Sequence, residues 1–122
     1  MTIYVSHSKS FDYQNELYYP LKSLVEKCDF IFPHENSGSP YPTKKLFQDK
    51  KCNLVLAEVS FPATGQGIEL GWADMMSIPI VCVHKKGTSF SGSLKLISTQ
   101  FFEYTNAHEL LEIVKSHAVK ND

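Results

Sequence analysis

Glu69 closes the short run Gly65-Gln66-Gly67-Ile68-Glu69, and its carboxylate is the group in this chain with the clearest potential for covalent chemistry. The run follows a strand-like segment, Asn53 to Val59, and a Pro- and Gly-containing loop, Ser60 to Gly67. A helix is expected to open on Ile68-Glu69-Leu70, placing Glu69 in its first turn, where the helix dipole favours an ionised carboxylate. Gly65 and Gly67 would let the backbone approach a ligand or take positive φ. The N–H groups of a helix start suit an anion or a sugar hydroxyl. A fixed carboxylate beside a sugar-sized crevice can attack an anomeric carbon, as in retaining glycosidases. Spacing alone favours a plainer reading, in which Glu69 satisfies helix-start N–H groups and the glycines only turn the chain. A dinucleotide fingerprint is excluded, because the third glycine and the acidic residue ending a following strand are missing.

These residues need elements to hold them. Thr2 to Ser6 reads as a strand, followed by a helix from Tyr13 to about Lys27, capped by Asp12, in which Pro20 either makes a kink or marks a later start around Tyr19. Asp29 to Pro33 is a second strand, and Thr43 caps a short helix running to about Lys51. The helix carrying Glu69 ends near Met76, and Ile78 to His84 is an almost continuously apolar run, the mark of a strand buried on both faces. A short helix, Ser93 to Ile97, precedes an edge-like strand, Phe101 to Tyr104, and Asn106 with Glu109 opens a final helix to about Ala118. Alternating strands and helices predict a single doubly wound α/β domain with a five-stranded parallel sheet in the order 2-1-3-4-5. That order sets the loops after Val5 and Val59 side by side at the switch-point crevice.

Composition narrows the function further. At 122 residues, with 43% hydrophobic content and net charge −1, the chain suits one soluble domain with no general attraction for nucleic acid polymers or anionic membranes. The first residues lack the build of a signal peptide, no long apolar run appears, and Cys28, Cys52 and Cys82 read as reduced thiols, so a cytoplasmic location is expected. His7, His34, His84, His108 and His117 show no metal-ligand spacing, and neither a metal nor another cofactor is expected.

The run AEVSFPATGQGIELGWA, together with IYVSHS near the start, resembles the nucleoside 2-deoxyribosyltransferase family, and within it the short 2′-deoxynucleoside 5′-monophosphate N-glycosidases. The resemblance implies that Glu69 is the nucleophile toward C1′ and that Tyr4 assists it. It implies that Ser8 binds the 5′-phosphate, and that Ser93 supplies a further phosphate contact from the neighbouring subunit of a dimer. It departs in two places. The family aspartate that manages the proton on the leaving base falls on Lys45, and a phosphate-binding serine falls on Ala63, beside Thr64. Asp49, Glu35 and His34 are the candidates for the missing acid, which is worth about 10²–10⁴-fold in rate. As a lone histidine, His34 is more simply a polar loop residue. His7 either lines the pocket beside Ser8 or points to solvent. Phe61 either stacks on a nucleobase or belongs to the loop alone. Trp72 is read as packing, and some of Tyr13, Tyr18 and Tyr19 as reaching the pocket or a partner subunit.

The expected function is hydrolysis or deoxyribosyl transfer at the N-glycosidic bond of a nucleoside or nucleoside 5′-monophosphate. The alternatives are a weakly active or inactive nucleotide- or sugar-phosphate-binding module, and hydrolysis of another N-ribosyl compound such as NAD.

Overall fold

The computed structural model describes residues 1–36 and 40–119. Five strands, β1 (Thr2–His7), β2 (Asp29–Ile31), β3 (Leu54–Glu58), β4 (Ile80–Lys85) and β5 (Gln100–Tyr104), form one parallel sheet in the order β2-β1-β3-β4-β5. The switch point lies between β1 and β3, whose ends are in register with His7 opposite Glu58.

Alternation along each strand divides the core in two. Ile3, Val5, Leu54, Leu56, Val81 and Val83 face a layer made by α1 (residues 14–24) and α4 (Ala107–His117), where they meet Leu17, Leu21, Leu110 and Val114. Tyr4, Val55, Ala57, Ile80 and Cys82 face the other layer, α2 (Thr43–Gln48) and α3 (Thr64–Met75), and meet Phe47, Leu70 and Ala73. Each such aliphatic side chain contributes about 1.5–3 kcal/mol by leaving water. Cys28, Cys52 and Cys82 are buried free thiols. Among the described residues no helix is long and apolar enough to cross a membrane.

Several element boundaries differ from the sequence expectation. Instead of one regular helix to Lys27, α1 is a π turn (Gln14–Tyr18), an α turn (Tyr19–Leu21) and a 3-10 turn (Lys22–Leu24). Pro20 lacks an N–H and its ring crowds the preceding turn, so it sits where the wide turn hands over to the narrower ones. β2 stops at Ile31, α2 stops at Gln48 with Lys50 at φ 54°, and β4 begins at Ile80.

The correction that matters for the site concerns α3. It starts at Thr64, four residues earlier than expected, with extended Ala63 (φ −152°) ahead of it. Gly65 and Gly67 are helical, neither has positive φ, and the Gly67 N–H donates to the Ala63 carbonyl. Glu69 therefore lies in the second turn, facing the strands, rather than at the helix start.

Candidate active site

The ends of β1 and β3, the start of α3 and the loop after β2 enclose a cleft with two adjoining lobes. The larger, about 430 Å³, is walled by Tyr4, Tyr13, Pro33, His34, Tyr41 and Thr43, with Lys9 at its edge. The smaller, about 350 Å³, is lined mostly by polar residues, among them His7, Ser8, Ser10 and Gln66, with Ala63 and Gly65 beside them. Glu69, Lys9 and His34 line both lobes, so the Glu69 carboxylate stands at their junction.

The environment of Glu69 is unusual for a carboxylate. Its Oε2 is buried without a hydrogen-bond partner. Burial pushes its pKa above the ordinary carboxylate value, and the neighbouring Tyr4 hydroxyl only partly opposes that shift. Tyr4 is buried, its hydroxyl is hydrogen-bonded to Thr43 Oγ1 at 2.8 Å, and burial plus the nearby Glu69 raise its own pKa. Tyr4 thus reaches from β1 to the first residue of α2, immediately beside the carboxylate.

His7 and His34 form a second polar group. The Ser8 carbonyl is 2.7 Å from His7 Nδ1 and can only accept, so Nδ1 carries the hydrogen. Nε2 is then the acceptor, and it takes the Tyr18 O–H at 2.6 Å. Tyr18 in turn accepts the His34 backbone N–H at 3.1 Å. Burial lowers the His7 pKa from 6.5 to about 4, which keeps this tautomer neutral. His34 is also held below its ordinary value, by burial first and then by Lys9. His7 therefore serves mainly to fix Ser8 and the His34 loop. Ser8 Oγ donates to Ser10 Oγ at 2.9 Å and accepts the Ser10 N–H at 3.0 Å, curling the loop after β1 around the smaller lobe.

The sequence candidates separate clearly. Glu69, Tyr4, His34, His7, Ser8 and Gly65 converge on the two lobes. Asp49 does not: it ends α2 and pairs with Lys45 at 3.2 Å. Glu35 turns away to an ion pair with Lys22. Phe61, Thr64, Gly67 and Ser93 line neither lobe but a neighbouring, largely apolar groove of about 500 Å³, together with Phe90, Leu94 and Ile97; it shares Pro62, Ala63 and Gln66 with the smaller lobe. Phe61 is stacked on Phe11 (centroids 5.4 Å apart), and Lys85 Nζ lies over both rings. Trp72 packs with the α2–α3 core, with Lys44 Nζ 5.9 Å from its ring centroid. Of the three tyrosines of the first helical segment, Tyr13 lines the larger lobe, Tyr18 is buried and Tyr19 is exposed.

Thr43, Gln66 and Lys9 line the cleft but escape a reading by motif. Thr43 looks like an ordinary helix cap in sequence, yet it is the residue of α2 that meets Tyr4. Gln66 is buried and its amide donates to the carbonyls of Ser6 (3.2 Å) and Glu58 (2.8 Å), sewing the first turn of α3 to both strands. A glutamine between two glycines was the only sequence cue. Apart from Glu69, no carboxylate lines either lobe among the described residues, and no group of three or more His, Cys, Asp and Glu side chains among them is disposed to hold a metal ion.

No family model and no curated protein sequence matches the chain. Solved structures do match. The fold is that of a small single-domain α/β protein class with the doubly wound five-stranded sheet described above. Within that class the chain is similar to the CMP N-glycosidase BcmB of Clostridium botulinum, with a TM-score of 0.67 and 20% identity over 94% of this chain and 99% of that one. It is also similar to a conserved protein from Enterococcus faecalis V583, with a TM-score of 0.57 and 16% identity over 95% and 98% of the two chains. At such identities the likeness establishes the fold, which agrees with the one the sequence resemblance implies.

Proposed function

We propose that the protein cleaves, or transfers across, the N-glycosidic bond of a nucleoside 5′-monophosphate or nucleoside, with Glu69 as the nucleophile. The observation that carries this reading is the buried, unpartnered Oε2 of Glu69 at the junction of an aromatic lobe and a polar one. The first lobe suits a base and the second suits a sugar-phosphate end, offered Ser8, Ser10, Lys9 and the N–H groups opening α3. The fold likeness to a CMP N-glycosidase supports the same class of bond.

In this scheme the ionised Glu69 attacks C1′, the bond to the base breaks with its electron pair, and the departing base takes up a proton. A water molecule, or a second base, then attacks C1′ of the glycosyl ester and frees the carboxylate. With Asp49 and Glu35 outside the cleft, the proton comes from Lys9, from solvent entering the larger lobe, or from the protonated fraction of His34, which its lowered pKa keeps small at neutral pH. Tyr4 supports Glu69 from β1. Ser93 lines the neighbouring groove rather than either lobe, and the phosphate contact that the family resemblance gives it from a second subunit keeps a homodimer part of the proposal. A cytoplasmic setting fits the three free thiols.

The missing second carboxylate favours one alternative, a nucleotide-binding module with slow or no turnover. The test is chromatographic detection of free base from the common ribo- and deoxyribonucleoside monophosphates, nucleosides and NAD. Base release that disappears in Glu69→Gln, with the fold retained, is the expected result. Thermal stabilisation by nucleotides without base release, equal in native protein and Glu69→Gln, would establish the module instead. Base release from NAD alone would assign the activity to that bond.

A further inference from the structure

Glu58 ends β3 as a buried carboxylate in a strand otherwise built of Leu, Val and Ala. It alternates with Leu54 and Leu56, so its side chain enters the α1–α4 layer, on the opposite face of the sheet from Glu69. There it accepts the Ser60 N–H at 2.7 Å, the Ser60 hydroxyl at 2.9 Å and the Tyr104 hydroxyl. Ser60 Oγ also accepts the Lys85 N–H at 2.7 Å, which ties this knot to β4. The main-chain carbonyl of the same Glu58 accepts the Gln66 amide at 2.8 Å. Glu58 thus meets the chain on both sides of the β3–α3 connection, Ser60 through its carboxylate and Gln66, in the first turn of α3, through its main-chain carbonyl. Gln66 and Glu69 are three residues apart, hence neighbours on one face of α3.

A carboxylate buried among apolar residues is tolerated only where donors satisfy it. What three converging donors supply is a fixed geometry. We infer that Glu58 is a positioning residue: its carboxylate, through Ser60 and Tyr104, fixes the end of β3 and so the main-chain carbonyl on which Gln66 anchors the first turn of α3, and thereby the place of the Glu69 carboxylate between the two lobes. This inference takes Glu69 as the reacting group from the function proposed above, but its structural content stands apart from turnover.

The experiment compares native protein with Glu58→Gln and Ser60→Ala, measuring kcat and KM for base release and amide hydrogen exchange along α3. Glu58→Gln puts an NH2 donor where only donors converge, and Ser60→Ala removes a single hydroxyl. The expected result is a fall in kcat of about 10–10²-fold for Glu58→Gln, with KM changed less than about threefold and a smaller fall in the same sense for Ser60→Ala. Exchange protection should be lost at Gly67 and at the Gln66 side-chain amide in both variants. A lowered melting temperature with kcat and α3 exchange unchanged would overturn the inference and leave Glu58 merely structural. If native protein releases no base from any nucleotide, the functional proposal fails and the exchange data decide here: lost protection upholds the positioning role, and unchanged protection removes it. Should Glu58→Gln not fold, Ser60→Ala alone decides in the same way.

Discussion

The ammonium of Lys45 and the carboxylate of Asp49 stand 3.2 Å apart, one turn from each other on the solvent side of α2. The cleft is touched instead by Thr43, at the other end of that short helix. The carboxylate that looked like a substitute acid is therefore engaged at the surface, away from Glu69. An exposed i,i+4 pair contributes about 0.3–0.5 kcal/mol. Asp49→Asn should accordingly alter base release by less than about twofold and stability by no more than that amount. Steady-state kinetics and urea unfolding check both.

Glu69→Gln separates chemistry from stability. Burial raises the Glu69 pKa, so the folded state holds the proton more tightly than the unfolded state. Ionisation then costs stability that is absent below the unfolded carboxylate pKa and grows as pH rises through the folded value. Glu69→Gln should abolish base release while melting at or above the native temperature at pH 7–8, and the advantage should shrink toward pH 4. Thermal melts across that range test it, and a variant less stable at every pH would contradict the burial argument.

His7 gives the opposite dependence. Its pKa falls from 6.5 to about 4 on folding, so the unfolded chain binds a proton that the folded chain refuses. The stability present above pH 6.5 is lost as pH falls toward 4, by about 2–3 kcal/mol if His7 acts alone. The lowered His34 adds to the same trend. Urea unfolding at pH 7 and pH 5 should show the decline, and His7→Gln should flatten it. Tyr18→Phe, which leaves His7 Nε2 without its donor, should cost about 1–3 kcal/mol at pH 7.

Most of the architecture was legible in the sequence. The apolar run of β4 could only be an interior strand, and alternation of strand and helix dictated a parallel sheet whose order put β1 beside β3. Glu69, Tyr4 and Ser8 stand out in the sequence because they lie on or next to that switch point, and all three line the cleft. What the sequence does not reveal has local causes. Gly65 and Gly67 suggested a loop, but a buried glutamine that satisfies two strand carbonyls draws the segment into helix despite two glycines. Asp49 and Glu35 stand out by their charge, and charge alone does not reveal that a nearby lysine already occupies each of them. Phe61 depended on a ring orientation set by Phe11, some fifty residues away in sequence, which no local pattern encodes.

Gln66 offers the cleanest test of that helical correction. Gln66→Met keeps the length and removes both donors, and should cost about 1–3 kcal/mol. Gln66→Glu turns an oxygen toward two carbonyl oxygens and should cost more. Both should also slow base release, because the turn that carries Glu69 loses its attachment. Denaturant unfolding together with kinetics on the same samples would show whether the two losses go together.

A residue at the meeting of two chambers also governs traffic. In the proposed reaction, a sugar joined to Glu69 keeps its phosphate end seated in the polar chamber while the aromatic chamber empties. Whatever arrives next, water or another base, enters from the side the first base left. The balance between hydrolysis and exchange is then a contest for one vacated room, and adding free base to the medium should shift it toward exchange.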